Sequence, residues 1–218
     1  MRDWYDVYLD EISLKKDLKG YVDYKIKNKK KLINLIKKYS PNKKVMEAGC
    51  GTGIIATYMA SLGYDVTEVD IDKKILGLAK KVSKEYITNG TPKFVQKDLL
   101  KLDFKKNEFD CIFSNGVLEH FSDEEIIKIL SLELEQAKYV IVGIPTTFFN
   151  KSEALHGDER FLENDYWRNL FKKCNSKIIE EASYDYRTFK EYLQSMNKLF
   201  RGKPFKIFVL EKNNDLIG

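Results

Sequence analysis

The stretch Val45-Met46-Glu47-Ala48-Gly49-Cys50-Gly51-Thr52-Gly53-Ile54-Ile55-Ala56 restricts the fold of this chain more than any other. A short apolar run ends in an acid, three glycines follow at alternate positions, and a helix-forming apolar stretch comes next. That succession encodes a strand, a tight turn and a helix N-terminus. The glycines allow a sharp turn and let a ligand approach the main chain where a Cβ would block it. A loop built for a dinucleotide has Gly-x-Gly-x-x-Gly, so that pyrophosphate rests on the helix N-terminus. Here the position of that third glycine is Ile54, and the glycines run Gly-x-Gly-x-Gly.

Strand and helix patterns alternate on both sides of this loop. The apolar spacing predicts strand 44–48, helix 53–62, strand 65–70 and helix 73–87. After the break Asn89-Gly90-Thr91-Pro92 come strand 93–97, a strand at 109–115, a helix at 123–136 capped by Ser122, and a strand at 139–144 that stops at Pro145. Such a succession implies right-handed βαβ crossovers and a parallel sheet covered on both faces. Upstream, residues 1–23 suggest one or two short helices. Residues 24–40 suggest one basic helix, with Leu32, Leu35, Ile36 and Tyr39 on its apolar face. Downstream, a long aromatic connection over 146–162 leads to a helix at 163–173, a strand at 177–184, a helix at 187–201 and a last strand at 206–211. A loop this long at the carboxyl end of a strand is usually functional or disordered, and its aromatic content argues for function.

With 218 residues the chain suits one domain with a full core. It divides into an N-terminal helical cover (1–40), a binding core (41–145) and a loop, helices and strands on the acceptor side (146–218). No apolar run approaches the roughly 20 residues of a membrane span, and the start lacks a signal-peptide pattern. Cys50, Cys111 and Cys174 are widely spaced, with no Cys-x-x-Cys pair, and fit reduced thiols in a cytoplasmic protein without a metal centre. The net charge of +5 comes largely from lysine.

Three further features fall at the carboxyl ends of predicted strands, where open α/β sheets bind ligands. Asp70 ends the second strand and can accept hydrogen bonds from both hydroxyls of a ribose. Asp98 ends the third and can accept from an exocyclic amine, with Leu99 offering a backbone amide and apolar surface. Asn115 ends the fourth, ahead of Leu118-Glu119-His120. Together with Glu47 and the glycines, this set resembles the class I S-adenosylmethionine (SAM)-dependent methyltransferases, closest to the small-molecule type with the Leu-Glu-His signature. The resemblance covers about residues 40–145 and extends more weakly to the C-terminal strand. It implies a Rossmann-like three-layer sandwich, with helices on both faces of a mostly parallel seven-stranded sheet whose last strand is antiparallel.

Carried over position by position, the resemblance places Glu47 at the methionine amino end and makes Gly49 and Gly51 the close-approach backbone. Asp70, with Ile71 beside it, would hold ribose; Asp98 and Leu99 would flank adenine; Asn115 would line the methyl-donor channel. The implied reaction is methyl transfer to an oxygen or nitrogen of a small molecule, with alignment and desolvation giving most of the acceleration. His156, near Asp158, Glu159 and Arg160 in the long loop, is the candidate base or orienting group, whereas His120 sits where similar proteins hold a structural histidine. The lysines from Lys25 to Lys44 leave an RNA or tRNA acceptor as an alternative. A SAM-binding partner or regulatory subunit without catalysis is another. A nicotinamide dehydrogenase is disfavoured by Ile54. The 187–201 segment has the spacing for a homodimer contact, so monomer and homodimer both stay open.

Overall fold

The computed structural model describes residues 3–13, 17–87, 90–149, 157–185 and 203–213. The alternating apolar runs become strands β1 (Lys44–Ala48), β2 (Asp65–Asp70), β3 (Lys93–Gln96), β4 (Phe109–Asn115), β5 (Ala137–Pro145), β6 (Ser176–Tyr184) and β7 (Phe205–Lys212). They form a seven-stranded sheet of order β3-β2-β1-β4-β5-β7-β6. The pairs from β3 across to β5 are parallel, and β7 runs antiparallel to both its neighbours. Strand order therefore reverses between β1 and β4, opening a crevice beyond their carboxyl ends.

Both faces of the central strands are buried, so apolar residues stand at consecutive positions, as in Val45-Met46, Cys111-Ile112-Phe113 and Val140-Ile141-Val142, rather than alternating. Val45, Cys111, Phe113, Ile141 and Val209 point to one side, against α3 (Lys30–Lys38) and α4 (Ile54–Ser61). Met46, Ile112, Val140, Val142 and Phe208 point to the other, against α6 (Asp123–Gln136) and α7 (Asn164–Lys173). Between α4 and β3, helix α5 (Lys73–Tyr86) is capped by Asp72, whose side chain accepts from the Lys74 N–H. Helix α6 opens with a reciprocal capping box between Ser122 and Glu125.

The N-terminal cover departs from expectation. Helix α1 (Trp4–Ser13) is followed by α2 (Leu18–Asn28), capped by Asp17, and the chain breaks at Lys29 before α3 begins. The single basic helix expected over 24–40 is thus two helices, and the first begins earlier. The expected helix at 187–201, with its homodimer contact, lies outside the described residues.

Glu133 on α6 is 1% exposed, and neither carboxylate oxygen finds a hydrogen-bond partner among the described residues. Burial pushes its pKa from the ordinary 4.5 to about 8. The folded state therefore binds a proton that the unfolded state releases above 4.5, and stability contributed by this group falls as pH rises from there through about 8. Glu133→Leu is expected to flatten that fall. At pH 8.5 it should raise stability by about 2 kcal/mol, the cost of a buried unmet polar group, or roughly 4–8 °C. Thermal unfolding of both proteins across the pH range checks it, and parallel curves would refute the account.

Candidate functional site

Strand β1 ends in Glu47 and Ala48, and the chain turns through Gly49 to Gly53 into α4. Gly51 and Gly53 sit at φ of 54° and 64°, the left-handed region open to glycine. A Cβ on Gly51 would lie 2.6 Å from the Tyr8 hydroxyl, and one on Gly53 would lie 2.1 Å from Glu68 Oε2. Glu47 folds beneath the turn, where its Oε2 accepts from the Ala56 N–H at 3.0 Å. Burial pushes its carboxyl up to about 8, against the lowering effects of that hydrogen bond and of the Lys29 amine.

Asp70 braces the loop from β2. Its Oδ2 accepts from the Gly51 N–H at 3.1 Å and its Oδ1 from the Asp72 N–H at 3.0 Å, leaving each oxygen a further lone pair. Ile71 beside it is 64% exposed on the rim. Asp98 caps the short 3-10 turn Leu99–Lys101 by accepting from the Leu100 N–H at 2.9 Å, and Leu99 is buried against the core. Asn115 closes β4 opposite Gly143 on β5, where a Cβ would stand 2.7 Å from Asn115 Oδ1. All these positions share one rim of the sheet. Glu47, Gly49 and Asn115 converge on one cavity, whereas Gly51, Asp70, Ile71, Asp98 and Leu99 extend away from it toward β2 and β3. His156 lies outside the described residues.

The cavity has a second wall that the motifs do not announce. Tyr8, Glu11, Tyr21, Lys25 and Lys29 of the N-terminal cover line it opposite the glycine loop. Glu11 accepts from the Tyr21 hydroxyl at 2.9 Å and from the Lys25 amine at 2.8 Å. The Lys29 amine donates to the Tyr184 hydroxyl at 3.0 Å, and that hydroxyl donates to Asn115 Oδ1 at 2.7 Å. Lys29 also sits over the stacked rings of Tyr184 and Phe205, at 5.3 and 5.0 Å from their centroids. Its residual exposure opens onto the cavity, and desolvation draws its amine down from 10.5 to about 7.

One sequence signal marks Lys29. Val22, Ile26, Ile33 and Ile36 recur at helical spacing, and Lys29 falls on the same inward stripe. A lysine on such a stripe departs from the rule that long charged side chains stay in solvent. Farther along the rim, Trp4 stacks on Tyr8 with centroids 5.6 Å apart and meets His120 edge-on at 5.4 Å. His120 Nδ1 lies 2.6 Å from Asp158 Oδ1.

An open sheet with a glycine turn, an acid and a part-buried lysine at its switch point defines a cofactor-binding α/β protein. The family described as "Methyltransferase domain" matches residues 46–131. The chain is 30% identical over 172 residues to a ubiquinone biosynthesis O-methyltransferase of Pelagibacter ubique, covering 72% of this chain and 68% of that protein. It is 40% identical over 81 residues to an uncharacterized methyltransferase, YodH, of Bacillus subtilis, covering 36% of this chain and 33% of that one. The chain spans between about 31% and 39% of the length of the first curated relatives it matches. Among solved structures, magnesium protoporphyrin IX methyltransferase from Synechocystis with bound SAM superposes with a TM-score of 0.65 at 17% identity, covering 97% of this chain and 98% of that one. The chain belongs to the class I SAM-dependent methyltransferase family.

The residues present fit that family's cofactor. The cavity offers a cation and an acid, Lys29 and Glu47, for the carboxylate and ammonium of a methionine end, and the glycine turn leaves room for close approach. Among the described residues, no helix is long and apolar enough to cross a membrane.

Proposed function

We propose that the chain transfers a methyl group from SAM to an oxygen or nitrogen of a small-molecule acceptor, by in-line displacement. The observation that carries this reading is the convergence of Lys29, Glu47, Gly49 and Asn115 on one cavity beyond the carboxyl ends of β1 and β4. SAM, when bound, supplies a methyl already activated by its sulfonium. Lys29 would hold the carboxylate of the methionine end and Glu47 its ammonium, while Asn115 borders the donor channel. Asp70 and Ile71 would hold the ribose, and Asp98 and Leu99 would flank the adenine. Tyr8 and Tyr21 form the cavity's opposite wall and would displace water around a bound cofactor, so that proximity and desolvation would carry most of the rate.

A small acceptor is favoured over RNA by the state of the lysines. Lys25, Lys38 and Lys44 pair with Glu11, Glu180 and Glu108. Lys37 and Lys43 lie over the rings of Tyr58 and Tyr64, and Lys29 points into the cavity. The basic segment is thus largely engaged by the fold itself. Three buried free thiols, Cys50, Cys111 and Cys174, support a reducing, cytoplasmic setting.

Calorimetry with SAM, S-adenosylhomocysteine (SAH) and NAD tests the cofactor reading. Binding of both sulfur nucleotides is expected, and binding of NAD alone would sink it. A labelled methyl donor offered with a metabolite extract and with tRNA separates the acceptors, and label in the tRNA fraction would favour RNA.

A further inference from the structure

We propose that Glu119 is the acceptor-side carboxylate of this site and that the acceptor is an amine, which arrives protonated and gives its proton to Glu119. This inference rests on the methyl-transfer reading and narrows it. Glu119 belongs to the 3-10 turn Leu118–His120, which leaves β4 just past Asn115 and Gly116, both of which line the cavity. The position of a Cβ on Gly116 is 3.5 Å from Glu119 Oε1, so the missing side chain leaves the carboxyl next to the cavity wall. From the other side the loop after Gly157 is locked over the turn, since the Arg160 N–H donates to the Glu119 carbonyl at 3.0 Å. The side chain is 3% exposed, and its Oε2 has no hydrogen-bond partner among the described residues.

Glu47, Glu11 and Glu119 share the field of Lys29, and Glu11 is already paired with Lys25. A methionine end would bring one carboxylate for Lys29 and one ammonium for Glu47. Glu119 is then the buried acid that neither end of the methionine moiety engages, and the acceptor is what remains to pair with it. The neighbouring charged groups agree. Asp158 and Glu159 lie within electrostatic reach of Glu119, and the His120 ring meets Asp158. Carboxylates grouped this closely disfavour a further anion, such as a phenolate or carboxylate, and favour a cation.

Burial pushes the Glu119 carboxyl up to about 8, which suits it to exchange a proton with an amine near neutral pH. In the proposed step the acceptor nitrogen loses one proton to the ionised Glu119 carboxylate. The freed lone pair forms the N–C bond while the S–C pair returns to sulfur. The product leaves as the methylated ammonium, and Glu119 gives its proton to solvent.

The test needs no knowledge of the acceptor. Sinefungin is a SAM analogue with a protonated amine in place of the transferred methyl, and SAH lacks both. Calorimetry of the full chain with each is expected to show sinefungin bound about tenfold or more tightly than SAH, as a charge-assisted hydrogen bond supplies. In Glu119→Gln that preference should shrink to about threefold or less, with SAH affinity held within about twofold. An equal preference in both proteins would overturn the proposal, as would loss of SAH together with sinefungin, which would mark Glu119 as structural. Should the variant unfold, the wild-type chain still decides: a preference below about twofold overturns the assignment. Failure of the wild-type chain to bind either ligand would instead overturn the cofactor reading beneath it.

Discussion

Lys29→Met is expected to weaken SAH binding by about two orders of magnitude while leaving the fold as stable as before or slightly more so. The two effects have opposite signs for one physical reason. Enclosing the amine lowers its pKa from 10.5 to about 7, so the folded state holds its proton poorly. Methionine fills a similar volume without that cost. A bound carboxylate loses its counter-ion in the variant, and truncating one partner of a buried charge pair costs about 2–5 kcal/mol. The lowered pKa also means that the unfolded chain binds more protons than the folded one between about 7 and 10.5. Stability contributed by Lys29 therefore rises with pH across that window, and the variant should lose the rise. Titration calorimetry and pH-resolved thermal unfolding read both effects. An unchanged SAH affinity would remove Lys29 from the site, and a collapse in melting temperature would make it a structural residue.

Gly53→Ala should lower the melting temperature by on the order of 10 °C. A left-handed backbone costs a non-glycine residue about 1–2 kcal/mol, and overpacking adds about 1–3 kcal/mol, at roughly 2–4 °C for each in a chain this size. The new methyl would stand 2.1 Å from Glu68 Oε2 and 3.1 Å from Ala79 Cβ, and Glu68 is fully buried with nowhere to retreat. Pairing the change with Glu68→Ala should recover the steric part but leave the backbone part. Strict additivity of the two substitutions would rule out the clash as the cause.

Between residues 44 and 145 the elements are readable because each strand is short, carries apolar residues between its ends and is followed by a turn or a cap. Strand β2 runs Asp65–Asp70 and α6 runs Asp123–Gln136, as their flanking Gly63 and Ser122 indicate. The rim residues Glu47, Asp70, Asp98 and Asn115 are readable for a related reason: each lies at or within two residues of a strand's carboxyl end, and the ends of parallel strands share one edge. The cover is harder. Nothing in Asn28-Lys29-Lys30 announces a break, since neither glycine nor proline stands there. The lysine-rich surroundings of Lys29 make it look solvated, although its stripe is buried. Tyr184 and Glu119 reach the site through contacts distant in sequence, from the end of β6 and from a turn held by Arg160. No local pattern encodes a pairing between residue 184 and residue 115.

Helix α1 spans ten residues and supplies no group that bonds to the transferred methyl in the proposed chemistry. Its Tyr8 sits over Gly51 and its Trp4 against His120, so it forms a roof pinned at both sides of the cleft. Exchange of product for fresh SAM would then require those two contacts to loosen, which ties the pace of turnover to a helix outside the sheet.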